Sequence, residues 1–138
     1  MDPRVSDLIK DAIKARDNAH APYSRHPVGA ALLTHGGTIH SGCNVENAAY
    51  PLGSCAEACA IGDMVKNGGN SIHILVVAGP ATALCTPCGG CRQRIREFGN
   101  DETLIYVVDV DGNIKLSTTL GALLPHSFGP DNIDEVRT

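Results

Sequence analysis

The chain lacks a basic surplus: 11 Lys and Arg stand against 15 Asp and Glu, a formal net charge of -4 over 138 residues. A nucleic-acid groove needs a basic stripe to neutralise phosphates, so this balance argues against a polymer partner and suits a small soluble substrate. Also missing is any apolar run near the roughly 18 residues that a membrane-crossing helix requires. No basic n-region followed by an apolar h-region opens the chain, and the expectation is therefore a cytoplasmic protein. Gly36-Gly37 is followed by neither a Lys-Ser/Thr pair nor a G-x-G-x-x-G pattern, which makes it a turn and not a phosphate cradle. Repeats, linkers and low-complexity stretches are absent too, and the length suits a single domain over 1–138. Such a domain buries a core without needing disulfides or a metal to stay folded.

What the chain does have is cysteine, six in all. In a reducing compartment, clustered cysteines bind metal more often than they form a disulfide framework. Cys55-Ala56-Glu57 sets a thiol beside a carboxylate, and Pro87-Cys88-Gly89-Gly90-Cys91 supplies two more thiols on a tight turn. Three soft ligands and one acid/base describe a zinc site whose fourth position is left to water or substrate, since structural sites close the tetrahedron with protein ligands. Hydrolysis is the chemistry this implies.

Two rivals share these residues. Cys85-x-x-Cys88-x-x-Cys91 resembles the opening of an iron-sulfur run, although the closing Cys-Pro is missing. A closed structural zinc site, with Cys85 or Cys59 as fourth ligand, would make the chain a non-catalytic zinc-stabilised binding domain. Cys43 and Cys59 lack a motif and read as small buried hydrophobes. His20, His35, His40, His73 and His126 have no ligand spacing and read as surface or packing residues.

Apolar residues at 3, 4 spacing predict an amphipathic helix from Val5 to about Ala19, stopped by Pro22. Val28–Thr34 and Thr38–Val45 read as a hairpin around Gly36-Gly37. Ser54 is the expected cap of a helix starting near Cys55 and running to Gly68-Gly69, with Glu57 on its first turn. Ile72–Ala78 is an apolar run typical of a central strand covered on both faces. A helix over Gly89–Phe98, strands over Leu104–Asp109 and up to Leu116, and a short helix over Thr119–Leu124 complete the pattern. Alternating strands and helices predict a three-layer α/β/α sandwich around a mixed, roughly five-stranded sheet. All three thiols would then sit at helix N-termini, where free N–H groups and the helix dipole favour thiolates.

With these residues in view, the chain resembles the small homotetrameric zinc-dependent cytidine deaminases. The blocks that match are Ala21-Pro22-Tyr23-Ser24-Arg25, Pro27 to Leu33, Asn44-Val45-Glu46-Asn47-Ala48, Tyr50-Pro51-Leu52-Gly53, Cys55-Ala56-Glu57, Pro87 to Gln93, and Leu123-Leu124-Pro125-x-x-Phe128-Gly129-Pro130. The resemblance implies that Cys55, Cys88 and Cys91 hold Zn2+ and that Glu57 carries protons while water attacks C4 of the pyrimidine and ammonia leaves. It also implies that Asn44 and Glu46 hydrogen-bond the ribose and that the Ala56 backbone N–H meets the pyrimidine carbonyl. Tyr50 and Phe128 would help close an adjacent subunit's site in a homotetramer. The implied activity is deamination of cytidine and deoxycytidine in pyrimidine salvage, with a modified cytosine nucleoside or a blasticidin-type antibiotic as the alternative substrate.

Two positions depart from the pattern. Many members with three cysteine ligands carry Arg directly after the catalytic Glu, where it offsets thiolate charge; here that residue is Ala58. The metal centre should be more electron-rich unless helix dipoles or another cation compensates. His26 stands where the family usually packs Phe on the base, and it would give a pocket floor that also hydrogen-bonds.

Overall fold

In the computed structural model, which describes residues 1–137, β1 (Gly29–Leu33), β2 (Ile39–Cys43), β3 (Ile74–Ala78), β4 (Leu104–Val108) and β5 (Ile114–Thr119) form one sheet in the order β2-β1-β3-β4-β5. Only β3 and β4 pair in parallel, so the sheet is mixed as expected. Side chains alternate across a strand, and the three central strands are apolar on both faces. Ala30, Leu32, Leu75, Val77 and Ile105 point to one side, while Ala31, Leu33, Ile74, Val76, Tyr106 and Val108 point to the other. Both faces therefore need a helical cover.

The cover on the second side is α1 (Val5–Arg16), which buries Val5, Leu8 and Ala12. On the first side lie α2 (Ala56–Lys66) and α3 (Gly89–Phe98), contributing Ala60, Ile61, Met64 and Ile95, with α4 (Leu120–Leu123) adding Leu120. The result is the α/β/α sandwich. Each fully buried Leu, Ile or Met on these helices contributes about 1.5–3 kcal/mol relative to leaving it in water. Two glycines let the layers approach: a Cβ at Gly29 would lie 1.8 Å from the Ala12 carbonyl oxygen, and one at Gly42 would lie 2.5 Å from the Ala60 nitrogen.

Some boundaries differ from expectation for local reasons. The first helix stops at Arg16, because Asn18 and Ala19 bond only three residues back and the His20 N–H turns to the Asn44 carbonyl. Ser54 does not cap α2. It pairs with Val45 through both backbone bonds, and Cys55 takes the cap position without a side-chain hydrogen bond. β2 gives up Asn44 and Val45 to this irregular corner, which continues through a single 3-10 turn at Tyr50–Leu52. A final helix, α5 (Pro130–Arg137), is docked on α3 by the Arg96–Asp131 pair at 2.6 Å.

Candidate active site

Two helices begin at the same corner. Cys55 is the N-cap of α2 and Cys88 the N-cap of α3, and Cys91 lies one turn into α3. Among the described residues, Cys55, Cys91 and Glu57 form a cluster of donors whose ligand atoms all lie within 4.8 Å of one another. Cys88, expected as the third ligand, lies outside this cluster and is exposed, and neither Cys59 nor Cys85 joins it. The two cluster cysteines are free thiols, and Cys91 donates to the Cys55 sulfur at 2.8 Å. This bond, with help from the Ala58 N–H and the Arg94 charge, pulls the Cys55 thiol down from 9.0 to about 6. The same bond and burial push Cys91 up, and Cys88 adds to that through its own contact with Cys91.

Glu57 is only 4% exposed, and burial raises its pKa above the ordinary 4.5. A carboxyl held this way gains and loses a proton closer to neutral pH than a solvated one. The half-buried Cys55 sulfur, the buried Cys91 sulfur, a third thiol on the rim and one carboxylate are a soft donor set. It fits zinc and does not fit a hard cation such as magnesium or calcium, which takes oxygen ligands.

The cluster lines a cleft of about 410 Å³, whose walls also include His26, Asn44, Glu46, Tyr50, Ala56 and Cys85. Cys88 lines it as well. An adjoining recess of about 360 Å³ adds Tyr23, Ser24 and Asn47 and shares Glu46 and Tyr50 with the cleft. Asn44 is oriented by two backbone bonds: its Oδ1 accepts from the Val28 N–H at 2.8 Å and its Nδ2 donates to the His26 carbonyl at 3.0 Å. Glu46 accepts from the Tyr23 and Ser24 N–H groups at 3.0 and 3.2 Å and from the Ser24 hydroxyl. These bonds hold its carboxyl below its ordinary value, the Ser24 hydroxyl contributing most. Both side chains thus clamp the segment that carries His26. Each keeps spare capacity, the second Nδ2 hydrogen of Asn44 and lone pairs on the Glu46 carboxylate.

Ala56 is buried, and as the first residue of α2 its N–H has no carbonyl one turn back inside the helix to bond. Tyr50 is 76% exposed and packs edge-to-face on Tyr23 at 5.9 Å. Phe128 is 60% exposed and does not line the cleft of its own chain; its carbonyl accepts from Gln93 at 2.8 Å.

The family model for the cytidine and deoxycytidylate deaminase zinc-binding region matches residues 3–108. The chain belongs to this deaminase family. Relatives include a cytidine deaminase from Sporosarcina psychrophila, 43% identical over 129 residues and aligned over 94% of both chains. Another from Halalkalibacterium halodurans is 38% identical, over 93% of this chain and 96% of that one. Among solved structures, the cytidine deaminase of Burkholderia pseudomallei superposes with a TM-score of 0.83 at 38% identity, covering 89% of this chain and 98% of that one. The one from Mycobacterium tuberculosis gives 0.82 at 37%, covering 93% and 99%.

For a member of the cytidine and deoxycytidylate deaminase family, this site contains three features that motif reading passed over. Arg94 places a guanidinium nitrogen 3.8 Å from the Cys55 sulfur. Its signal was the three-residue step from Cys91, which puts both on one helix face. Ser24 seals Glu46 from a distant part of the chain, and nothing local announces that. Cys85, weighed only as a ligand, sits 3.6 Å from His26 Nε2 in the cleft wall.

Proposed function

We propose that this chain is a zinc-dependent hydrolase that deaminates cytidine and deoxycytidine to uridine and deoxyuridine with release of ammonia, in cytoplasmic pyrimidine salvage. The observation that carries this reading is the buried Glu57 carboxylate beside the Cys55 and Cys91 sulfurs, in a cleft that also holds Asn44 and Glu46. Cys55, Cys88 and Cys91 would hold Zn2+, which when bound supplies Lewis acidity toward the attacking water and keeps the thiols deprotonated.

The chain's own groups do the rest. Glu57 accepts a proton from the water that adds to C4 and delivers it to N3. It then moves the remaining hydroxyl proton to the exocyclic amine, so that the C–N bond breaks as ammonia leaves and the C4 carbonyl forms. Burial helps it hold each proton between the two transfers. The Ala56 N–H donates to the pyrimidine carbonyl. Asn44 and Glu46 use their spare donor and acceptor on the ribose hydroxyls, with positions preset by the bonds to residues 23–28. Tyr50, Leu52 and Phe128 are large apolar side chains left in water, which supports a homotetramer whose neighbours complete each other's clefts.

Glu57→Gln tests the assignment. Turnover, read as loss of cytidine ultraviolet absorbance, should fall by about 100- to 10,000-fold with zinc content unchanged. Turnover equal to wild type sinks the proton-carrier role. If no nucleoside in a panel of cytosine analogues is consumed by wild type, the non-catalytic zinc-stabilised domain takes its place.

His26 favours a second reading of the substrate, because it stands in the cleft wall against Cys85 and not in solvent alone. A base-modified cytosine nucleoside or a blasticidin-type antibiotic would meet that polar pair. His26→Phe should shift the preference toward unmodified cytidine, and identical panels for the two proteins would discard the idea.

A further inference from the structure

Three thiolates around Zn2+ carry a formal charge of -1, and a site walled partly by protein needs a cation to offset it. α3 offers three arginines at alternate positions, and their partners differ. Arg92 is spent on carbonyls, with its guanidinium on Pro87 and Leu123 at 2.7 and 2.8 Å. Arg96 is spent on Ser127 and on Asp131 at 2.9 and 2.6 Å. Arg94 pairs with no carboxylate within ion-pair distance among the described residues, and its guanidinium contact is the Cys55 sulfur at 3.8 Å.

The local sequence makes room for this reach. A helical side chain leans toward the N-terminus of its helix, and the position one turn before Arg94 is Gly90. A Cβ there would already touch the guanidinium at 3.6 Å. Across the α2–α3 groove stands Ala58, a short side chain that shares that groove with Arg94 and leaves it open to be crossed. A cation on one helix thus reaches the N-cap sulfur of another.

We propose that Arg94 is the charge-balancing residue of the thiolate centre, a positioning residue that acts through Cys55 and tunes how strongly the sulfur donates to the metal. The inference rests on the zinc reading. It goes beyond that reading by naming a residue outside the ligand and proton-carrier set.

Cobalt substitution separates the two. Co2+ in a tetrahedral thiolate site gives intense visible d–d bands and a thiolate-to-cobalt charge-transfer band, whose energy drops when the sulfur lone pairs are less stabilised by nearby positive charge. Arg94→Gln keeps length and polarity but removes the charge, and should shift the charge-transfer band to longer wavelength with the d–d bands retained. Arg94→Lys should stay close to wild type. Ala58→Arg added to Arg94→Gln should return the band, because the charge comes back from the other side of the groove. A charge-transfer band unmoved by Arg94→Gln, with tetrahedral d–d bands intact, overturns the role of Arg94 and leaves the zinc reading standing. Absence of tetrahedral bands in the wild-type cobalt protein overturns both.

Discussion

The two helical layers are packed with the same kind of side chain, yet only one of them carries chemistry. Under α1, Val5, Leu8 and Ala12 meet Leu33, Ile74 and Val76; under α2 and α3, Ala60, Met64 and Ile95 meet Leu32, Leu75 and Ile105. The difference lies at the helix starts. Asp2 folds back on the beginning of α1, its carboxylate and carbonyl accepting from the Arg4 and Val5 N–H groups at 2.9 and 3.1 Å. None of the three helices has a side-chain bond at its N-cap residue, Arg4 in α1, but α2 and α3 have cysteines there, which leaves N–H groups and dipoles directed at sulfur. Burial makes the two layers alike, and the choice of capping residue makes one of them a site.

The largest effect that tests this contrast is expected on the site layer. Cys91→Ala should leave a folded protein that loses zinc on dialysis and turns over no cytidine, as read by metal analysis and absorbance. Retention of one zinc per chain would show that Cys91 is a packing thiol and that the two layers differ less than the geometry implies. Leu8→Ala probes the other layer. It opens a cavity and should cost about 2–5 kcal/mol in urea unfolding, while kcat/KM for cytidine stays within about twofold well below the unfolding midpoint. A changed KM under folded conditions would mean that the α1 layer also shapes the cleft.

The same contrast governs how much could be read from residues alone. Cys55-Ala56-Glu57 and Pro87-Cys88-Gly89-Gly90-Cys91 are contiguous motifs, so their helix-start placement followed from local spacing. The five strands and the helix over Gly89–Phe98 followed from apolar patterning. Ser54 misled because a good capping residue was claimed by a longer-range pairing with Val45, which only the folded corner supplies. α5 gave little pattern to follow: its Ile133 is exposed, and an ion pair from Arg96 docks it. Its start signal, Pro130 followed by Asp131, was present. Arg94 needed the partner helix to acquire meaning, and the clamp on residues 23–28 needed Asn44 and Glu46 to arrive from β2's far end.

That clamp provides the smallest effect, and its pH dependence gives the sign. The Glu46 carboxyl is depressed below its ordinary 4.5, first by the Ser24 hydroxyl and then by the Ser24 and Tyr23 N–H groups and His20. A carboxyl lowered on folding contributes stability above its unfolded value and loses it as pH falls through the folded one. Ser24→Ala removes the largest cause, so the variant should unfold at a modestly lower urea concentration at neutral pH. The gap should close as the pH drops below about 4.5 and the carboxylate is protonated in both proteins. A gap that persists unchanged into acid would assign Ser24 to packing, with Glu46 held by its backbone donors alone. A gap at neutral pH accompanied by a raised KM for cytidine would tie the clamp to the ribose wall, because loosening residues 23–28 then frees Glu46 from the orientation in which it faces the cleft.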